Sequence, residues 1–235
     1  MSVLDSLLDA SPTISVGILT ADLMNLQQEL AQLEVSEVQF LHFDVMDGCF
    51  CPMMTVGPPF LRGIRTPLFK DVHLMIREPL DKVESYVAAG ADIVTVHAES
   101  SMHVHRVLQH LGTIPNAVDP YRGLSRGVAL NPGTSLAVLE PLMDEVDMVT
   151  LLAINPGWGG QSFLKSTFSR IAQVKEMIAE SGRQIALCVD GGITKQNISD
   201  LAGSGVDLVV TGSAVFDGKT PLANAKYMLE ALRSK

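Results

Sequence analysis

A chain of 235 residues is long enough for one α/β barrel or two smaller domains, and length alone does not choose between them. Hydrophobic residues make up 47% and charged residues 18%, which suits a large buried core; with aromatics at 5%, that core is mainly aliphatic. A formal net charge of −9 argues against nucleic acid or an anionic membrane as partner, so an anionic substrate must be held by local devices such as backbone N–H groups or a metal. No apolar run of roughly 18 residues is available to span a bilayer. No basic, apolar, small-residue leader opens the chain, and a cytoplasmic protein is expected. Three cysteines, an odd number without a disulfide-like pattern, fit a reducing compartment. Cys49-Phe50-Cys51 has no second cysteine cluster to complete a zinc or redox site and reads as a loop.

In chain order, residues 1–12 read as a short N-terminal extension, either a helical turn packed at the bottom of the main domain or a disordered stretch. Residues 13–235 read as one domain in which short apolar runs alternate with amphipathic stretches. Strands are predicted at 14–19, 38–44, 68–75, 92–97, 126–131, 147–154, 185–190 and 206–211. Helices are predicted at 22–34, 58–65, 79–89, 101–112, 134–142, 166–181, 195–203 and 220–233. Pro79 and Thr194 are start signals, while Gly90 and Gly205 stand where helices should stop. Segment 113–125, rich in Pro, Gly and Asn, reads as a loose surface insertion between the fourth helix and the fifth strand.

Strands alternating with helices imply parallel pairing, because parallel neighbours need a crossover. Runs such as Ile93-Val94-Thr95-Val96 are dense in β-branched residues, as strands covered on both faces should be. Eight such units match a (β/α)8 TIM barrel. An open doubly wound sheet would carry a glycine-rich first turn, and Ile18-Leu19-Thr20-Ala21-Asp22 has none.

In such a barrel the C-terminal ends of the strands carry the chemistry. His42 and Asp44 end the second strand, His73 the third and Asp190 the seventh. His42 and Asp44 are two residues apart and so point the same way. Two imidazoles and two carboxylates suit one divalent Zn, Fe, Mn or Co ion, and the residues alone do not rank these. A second constellation is rich in glycine: Gly157, Trp158, Gly159 and Gly160 follow strand six, Gly191 and Gly192 strand seven, Gly212 and Ser213 strand eight. Glycines let backbone N–H groups approach phosphate oxygens, and these strands commonly hold phosphate in (β/α)8 enzymes. Met46, Met75 and Leu152 form an apolar cap that keeps water off a bound substrate. His97 and Glu99 read as a supporting hydrogen-bond pair, and His103, His105 and His110 as surface residues. A metal and two carboxylates beside a phosphate site suit proton abstraction next to a carbonyl, one carboxylate taking a proton and the other delivering one.

The chain resembles the ribulose-phosphate 3-epimerases over residues 13–218. The resemblance is carried by Ile18-Leu19-Thr20-Ala21-Asp22, His42-x-Asp44-Val45-Met46-Asp47-Gly48, Asp71-Val72-His73-Leu74-Met75, Asn155-Pro156-Gly157-Trp158-Gly159-Gly160-Gln161, Val189-Asp190-Gly191-Gly192 and Gly212-Ser213-Ala214-Val215-Phe216. It implies a barrel of the ribulose-phosphate-binding type and a metal held by His42, Asp44, His73 and Asp190. Asp44 would be the proton acceptor and Asp190 the donor. The substrate would be a phosphorylated ketose of the pentose phosphate pathway, ribulose 5-phosphate converted to xylulose 5-phosphate, and the protein a homo-oligomer. Three positions depart from the family pattern. Gly17 stands where the family offers a serine; Cys49-Phe50-Cys51-Pro52-Met53-Met54 lacks a histidine and an asparagine; Leu152 replaces a methionine.

Two alternatives are a 3-epimerase of another ketose phosphate, such as a hexulose 6-phosphate, and a non-catalytic sugar-phosphate binder. Decarboxylase or aldolase chemistry is disfavoured: no Asp-x-Lys-x-x-Asp array and no lysine stand at a predicted strand end.

Overall fold

Eight parallel strands close into a barrel in sequence order: β1 (Thr13–Gly17), β2 (Phe40–Met46), β3 (Phe69–Met75), β4 (Ile93–His97), β5 (Ser125–Leu130), β6 (Met148–Leu152), β7 (Ala186–Asp190) and β8 (Leu208–Thr211), with β8 pairing back onto β1. The structure, a computed structural model, describes residues 1–234. Closure leaves no open sheet edge, so the backbone groups of every strand have neighbours on both sides. This is the expected (β/α)8 barrel.

The strand side chains alternate between the barrel interior and an outer face. Outward residues such as Leu41, Phe43, Val72, Leu74, Val94 and Val96 are fully buried in one aliphatic layer. That layer is roofed by α2 (Leu26–Glu34), α3 (Pro58–Gly63), α4 (Val83–Val87), α5 (Val104–Leu111), α6 (Thr167–Ser181) and α7 (Pro221–Arg233). Leu26, Leu30 and Leu33 of α2 show the spacing that builds such a stripe. Two connections expected as α-helices, 134–142 and 195–203, are tighter 3-10 segments, Leu136–Leu142 and Ile198–Leu201. Pro141 in the first has no N–H to give a regular helix. Among the described residues no helix is long and apolar enough to cross a membrane.

The strand pair that matters most for chemistry is β2 with β3, in register along seven residues from Phe40 opposite Phe69 to Met46 opposite Met75. This register carries β2 two residues past the expected end at 44 and sets Asp44 directly opposite His73.

At the other end of the barrel, residues 3–10 form a further helix, α1 (Val3–Ala10), started by a reciprocal Ser2 and Asp5 capping box. Val3 and Leu7 are each 1% exposed and plug the barrel floor of Phe40, Ile93, Met148, Ala186 and Leu208. Segment 113–125 is not loose. Its Asn116 is buried and donates to Asp92 Oδ1 at 3.0 Å and Gly123 O at 2.8 Å, while Arg122 pairs with Asp92. The Val3 N–H bonds Arg122 O at 3.1 Å, tying α1 to this segment. Leu7→Ala is expected to cost about 2–4 kcal/mol in urea unfolding, as for other buried leucines. An unchanged midpoint would show that α1 is no part of the core.

Candidate active site and metal centre

Positions 42 and 44 of β2, 73 of β3 and 190 of β7 all face inward near the strand C-termini, as the alternation of a strand requires. They converge. One ligand atom from each of His42, Asp44, His73 and Asp190 lies within 4.8 Å of the others. His42 Nε2 is 3.2 Å from Asp44 Oδ1 and 3.9 Å from Asp190 Oδ2; His73 Nδ1 is 3.6 Å and 3.1 Å from the same two oxygens. The histidines are 2% and 0% exposed, so they lie beneath the floor of the barrel mouth.

The donor set fits a divalent cation. His73 Nδ1 is buried and has no hydrogen bond, although Asp190 Oδ2 lies 3.1 Å away. A buried polar atom without a partner is costly, and a cation among the four residues would supply one while neutralising the two carboxylates.

The protonation pattern points the same way. Burial pulls the His42 imidazole toward its neutral form, but the carboxylates of Asp71 and Asp44 outweigh it and raise the pKa well above the ordinary value. His73 is likewise opposed by burial yet raised to about 9 through Asp190 and Asp44. Burial disfavours the Asp44 carboxylate, but the two histidines override this and hold it well below the usual range. Metal-free protein therefore carries protons where a metal would bind. Binding must expel them, so apparent metal affinity should rise as pH goes from 6 toward 9, through the pKa of His73. Calorimetry in two buffers of different ionisation enthalpy should read at least one proton released at pH 7. No release would contradict this picture.

Asp71, two residues before His73 on the same inward face, stands behind His42. Its Oδ2 lies 2.7 Å from His42 Nδ1 and accepts the Ser15 hydroxyl at 2.8 Å. Asp71 is a neighbour of the cluster that the sequence reading does not place in the site; its spacing from His73 is the available signal. His97 and Glu99, expected as a pair, lie 3.2 Å apart. Burial is the main cause that brings the His97 imidazole down to about 4. Glu99 is partly buried, which opposes ionisation, but His97, Thr134 and the Asn131 N–H bring it to about 2.

Above the cluster opens a cavity of about 440 Å³. Its floor includes Asp44 and Asp190, with Met46, Met75 and Leu152 as apolar lining. Gly157, Trp158, Gly159, Gly160, Gly191, Gly192, Gly212 and Ser213 form the wall. Every expected residue thus gathers at one mouth, with His42 and His73 below it. Gly157 has φ +105°, and a Cβ there would come within 2.8 Å of Cys51 Cβ and 2.7 Å of Pro52 Cδ. Gly192 has φ +71°, and a Cβ there would lie 2.9 Å from Phe163 N. Both positions need glycine for conformation and for close approach. Gln161 stitches its loop from within, accepting from Asn155 N at 3.1 Å and donating to the carbonyls of Asn155 and Trp158 at 2.6 and 2.9 Å. Gln161, Thr20 and Met53 also line the cavity, beyond the residues that the sequence pattern marks.

Cys49, Cys51 and Cys188 are free thiols, and Cys49-Phe50-Cys51 is a loop. His103 and His105 are exposed, and His110 pairs with Glu84 at 3.1 Å, away from the mouth.

Residues 13–216 match the ribulose-phosphate 3 epimerase family. The chain is 40% identical to ribulose-phosphate 3-epimerase of Escherichia coli, over 94% of this chain and 95% of that protein. It is also 40% identical to the enzyme of Bacillus subtilis, over 86% of this chain and 91% of that one. Among solved structures, 3-keto-L-gulonate-6-phosphate decarboxylase from Vibrio cholerae aligns with a TM-score of 0.66 over 94% of this chain and 97% of that one. At 15% identity that likeness concerns the fold alone.

Proposed function

The chain belongs to the ribulose-phosphate 3-epimerase family, and from that premise we propose that it epimerises C3 of a ketose phosphate, interconverting ribulose 5-phosphate and xylulose 5-phosphate. The observation that carries this reading is the meeting of Asp44 and Asp190, from non-adjacent strands, with two buried histidines at one point under a glycine-walled mouth.

His42, Asp44, His73 and Asp190 would hold one divalent ion of the Zn, Fe, Mn or Co type. When bound, it would supply the positive charge that stabilises an enediolate. Asp44, held ionised by the neighbouring imidazoles, accepts the C3 proton. Asp190, arriving from β7, delivers a proton to the opposite face, and the stereocentre inverts. Backbone N–H groups of the 157–160 loop, Gly192, Gly212 and Ser213 orient the phosphate. Met46, Met75 and Leu152 keep water from the reacting carbon. Three free thiols favour a reducing compartment such as the cytoplasm.

Asp190→Asn should lower kcat at least about 100-fold, the scale of a lost general acid, while leaving the thermal unfolding profile close to wild type. Unchanged kcat would remove Asp190 from the mechanism. Solvent deuterium appearing at C3 of ribulose 5-phosphate would establish turnover; binding without exchange in metal-replete protein would mean a binding protein instead.

A second reading, a different ketose phosphate, is favoured by the apolar stretch of wall at Gly17, Leu19 and Met53. A Cβ at Gly17 would meet nothing closer than Gly212 Cα at 3.6 Å, so a serine fits there. Gly17→Ser should raise kcat/KM for ribulose 5-phosphate roughly two- to tenfold, the worth of one hydrogen bond. A panel of pentulose and hexulose phosphates distinguishes the readings. Ribulose 5-phosphate activity orders of magnitude below another sugar would overturn the first.

A further inference from the structure

The two cluster histidines present different nitrogens to the same point, His42 its Nε2 and His73 its Nδ1. A neutral imidazole carries one N–H, so each ring must hold its proton on the far side to offer a bare nitrogen. For His42 the far side is Asp71, a carboxylate that only accepts. For His73 the far side is another histidine. His73 Nε2 lies 2.9 Å from His97 Nε2, within N–H···N hydrogen-bond range, and the two ring planes are within 15° of parallel. One of these nitrogens donates and the other accepts. The contact itself does not say which.

Glu99 decides it. Its Oε2 is 3.2 Å from His97 Nδ1, and its Oε1 accepts the Asn131 N–H at 2.8 Å and the Thr134 hydroxyl. The Asn131 N–H and the Thr134 hydroxyl both donate to Glu99 as to an ionised carboxylate, which only accepts, so the His97 proton belongs on Nδ1. His97 Nε2 is then the acceptor, His73 carries its proton on Nε2, and His73 Nδ1 is bare. The chain of hydrogen bonds is held at its outer end by Arg170 of α6, whose guanidinium donates to Thr134 O at 2.7 Å and Asn131 O at 3.3 Å. Phe50 lies against the buried His97 ring, with centroids 4.6 Å apart, and shields it from water that could replace either partner.

We propose that His97 and Glu99 are positioning residues that fix the tautomer of His73 and so set the metal affinity of the cluster. Neither lines the cavity nor belongs to the four-residue cluster. The inference rests on the reading that the four residues hold a metal. Outer partners of ligating histidines typically change metal affinity about 10- to 100-fold when lost. Replacing Glu99 by glutamine turns one of its two acceptor atoms into a donor. Facing His97, that donor forces the opposite tautomer through both rings; facing Asn131, it breaks the anchor of the hydrogen-bond chain.

The test has two arms. In the first, Zn²⁺ and Co²⁺ affinities of wild type and Glu99→Gln are measured by competition with a chromophoric chelator, with circular dichroism to verify folding. The variant should bind about 10- to 100-fold more weakly. In the second, which needs no variant, ¹⁵N-labelled histidine spectra of metal-free and zinc-loaded wild type report tautomers directly. His97 should be the Nδ1–H form in both, and in the zinc-loaded protein His73 should keep its proton on Nε2 and bind zinc through Nδ1. A His97 proton on Nε2, or a folded Glu99→Gln variant with wild-type affinity, overturns the proposal. Wild-type protein that binds neither metal overturns the reading of the cluster itself, an outcome distinct from equal affinity in the two proteins.

Discussion

Two carboxylates buried at one point demand positive charge, and much of the structure around the barrel mouth answers that demand. Asp44 and Asp190 sit on non-adjacent strands of a closed barrel, with low-dielectric packing below and an apolar cap above. Two ionised groups so placed repel each other, and each loses hydration on burial. His42 and His73 supply the compensation by holding protons, which is why their pKa values rise against the effect of burial. A divalent cation would do the same with greater charge. The site is thus poised between protons and metal.

The barrel makes that convergence possible through register. Seven paired residues in β2 and β3 set Asp44 opposite His73, and the same phase brings His42 opposite Asp71. A one-residue slip of β2 would send His42 and Asp44 outward into the aliphatic layer. The deeper packing, including the α1 plug, holds the register but takes no part in the chemistry.

Much of this is legible in the sequence. The eight strands are readable because parallel strands covered on both sides are near-continuous apolar runs, and the four cluster residues because they interrupt those runs at matching ends. The end of β2 reads two residues early, since Val45 and Met46 join the strand only by pairing with Leu74 and Met75. The segments 134–142 and 195–203 look helical by pattern, but chain geometry tightens them to 3-10 turns. Residues 1–12 read as a helical turn or as disorder, because the floor that holds Val3 and Leu7 is assembled from five distant strands. The contact between His73 and His97 is illegible for a similar reason: strand spacing gives the face a residue occupies, not which ring atoms meet. Gly17 and the 49–54 loop are visible departures, and Gly17 and Met53 both line the cavity beside Asp44 and Asp190.

The central claim is that one divalent ion is shared by His42, Asp44, His73 and Asp190. Anomalous diffraction at the metal edge from metal-loaded crystals tests it most directly. The account predicts a single peak about 2.0–2.2 Å from His42 Nε2, His73 Nδ1 and one oxygen of each aspartate. No peak at that point, or a peak bonded through His42 Nδ1 or His73 Nε2, would contradict it.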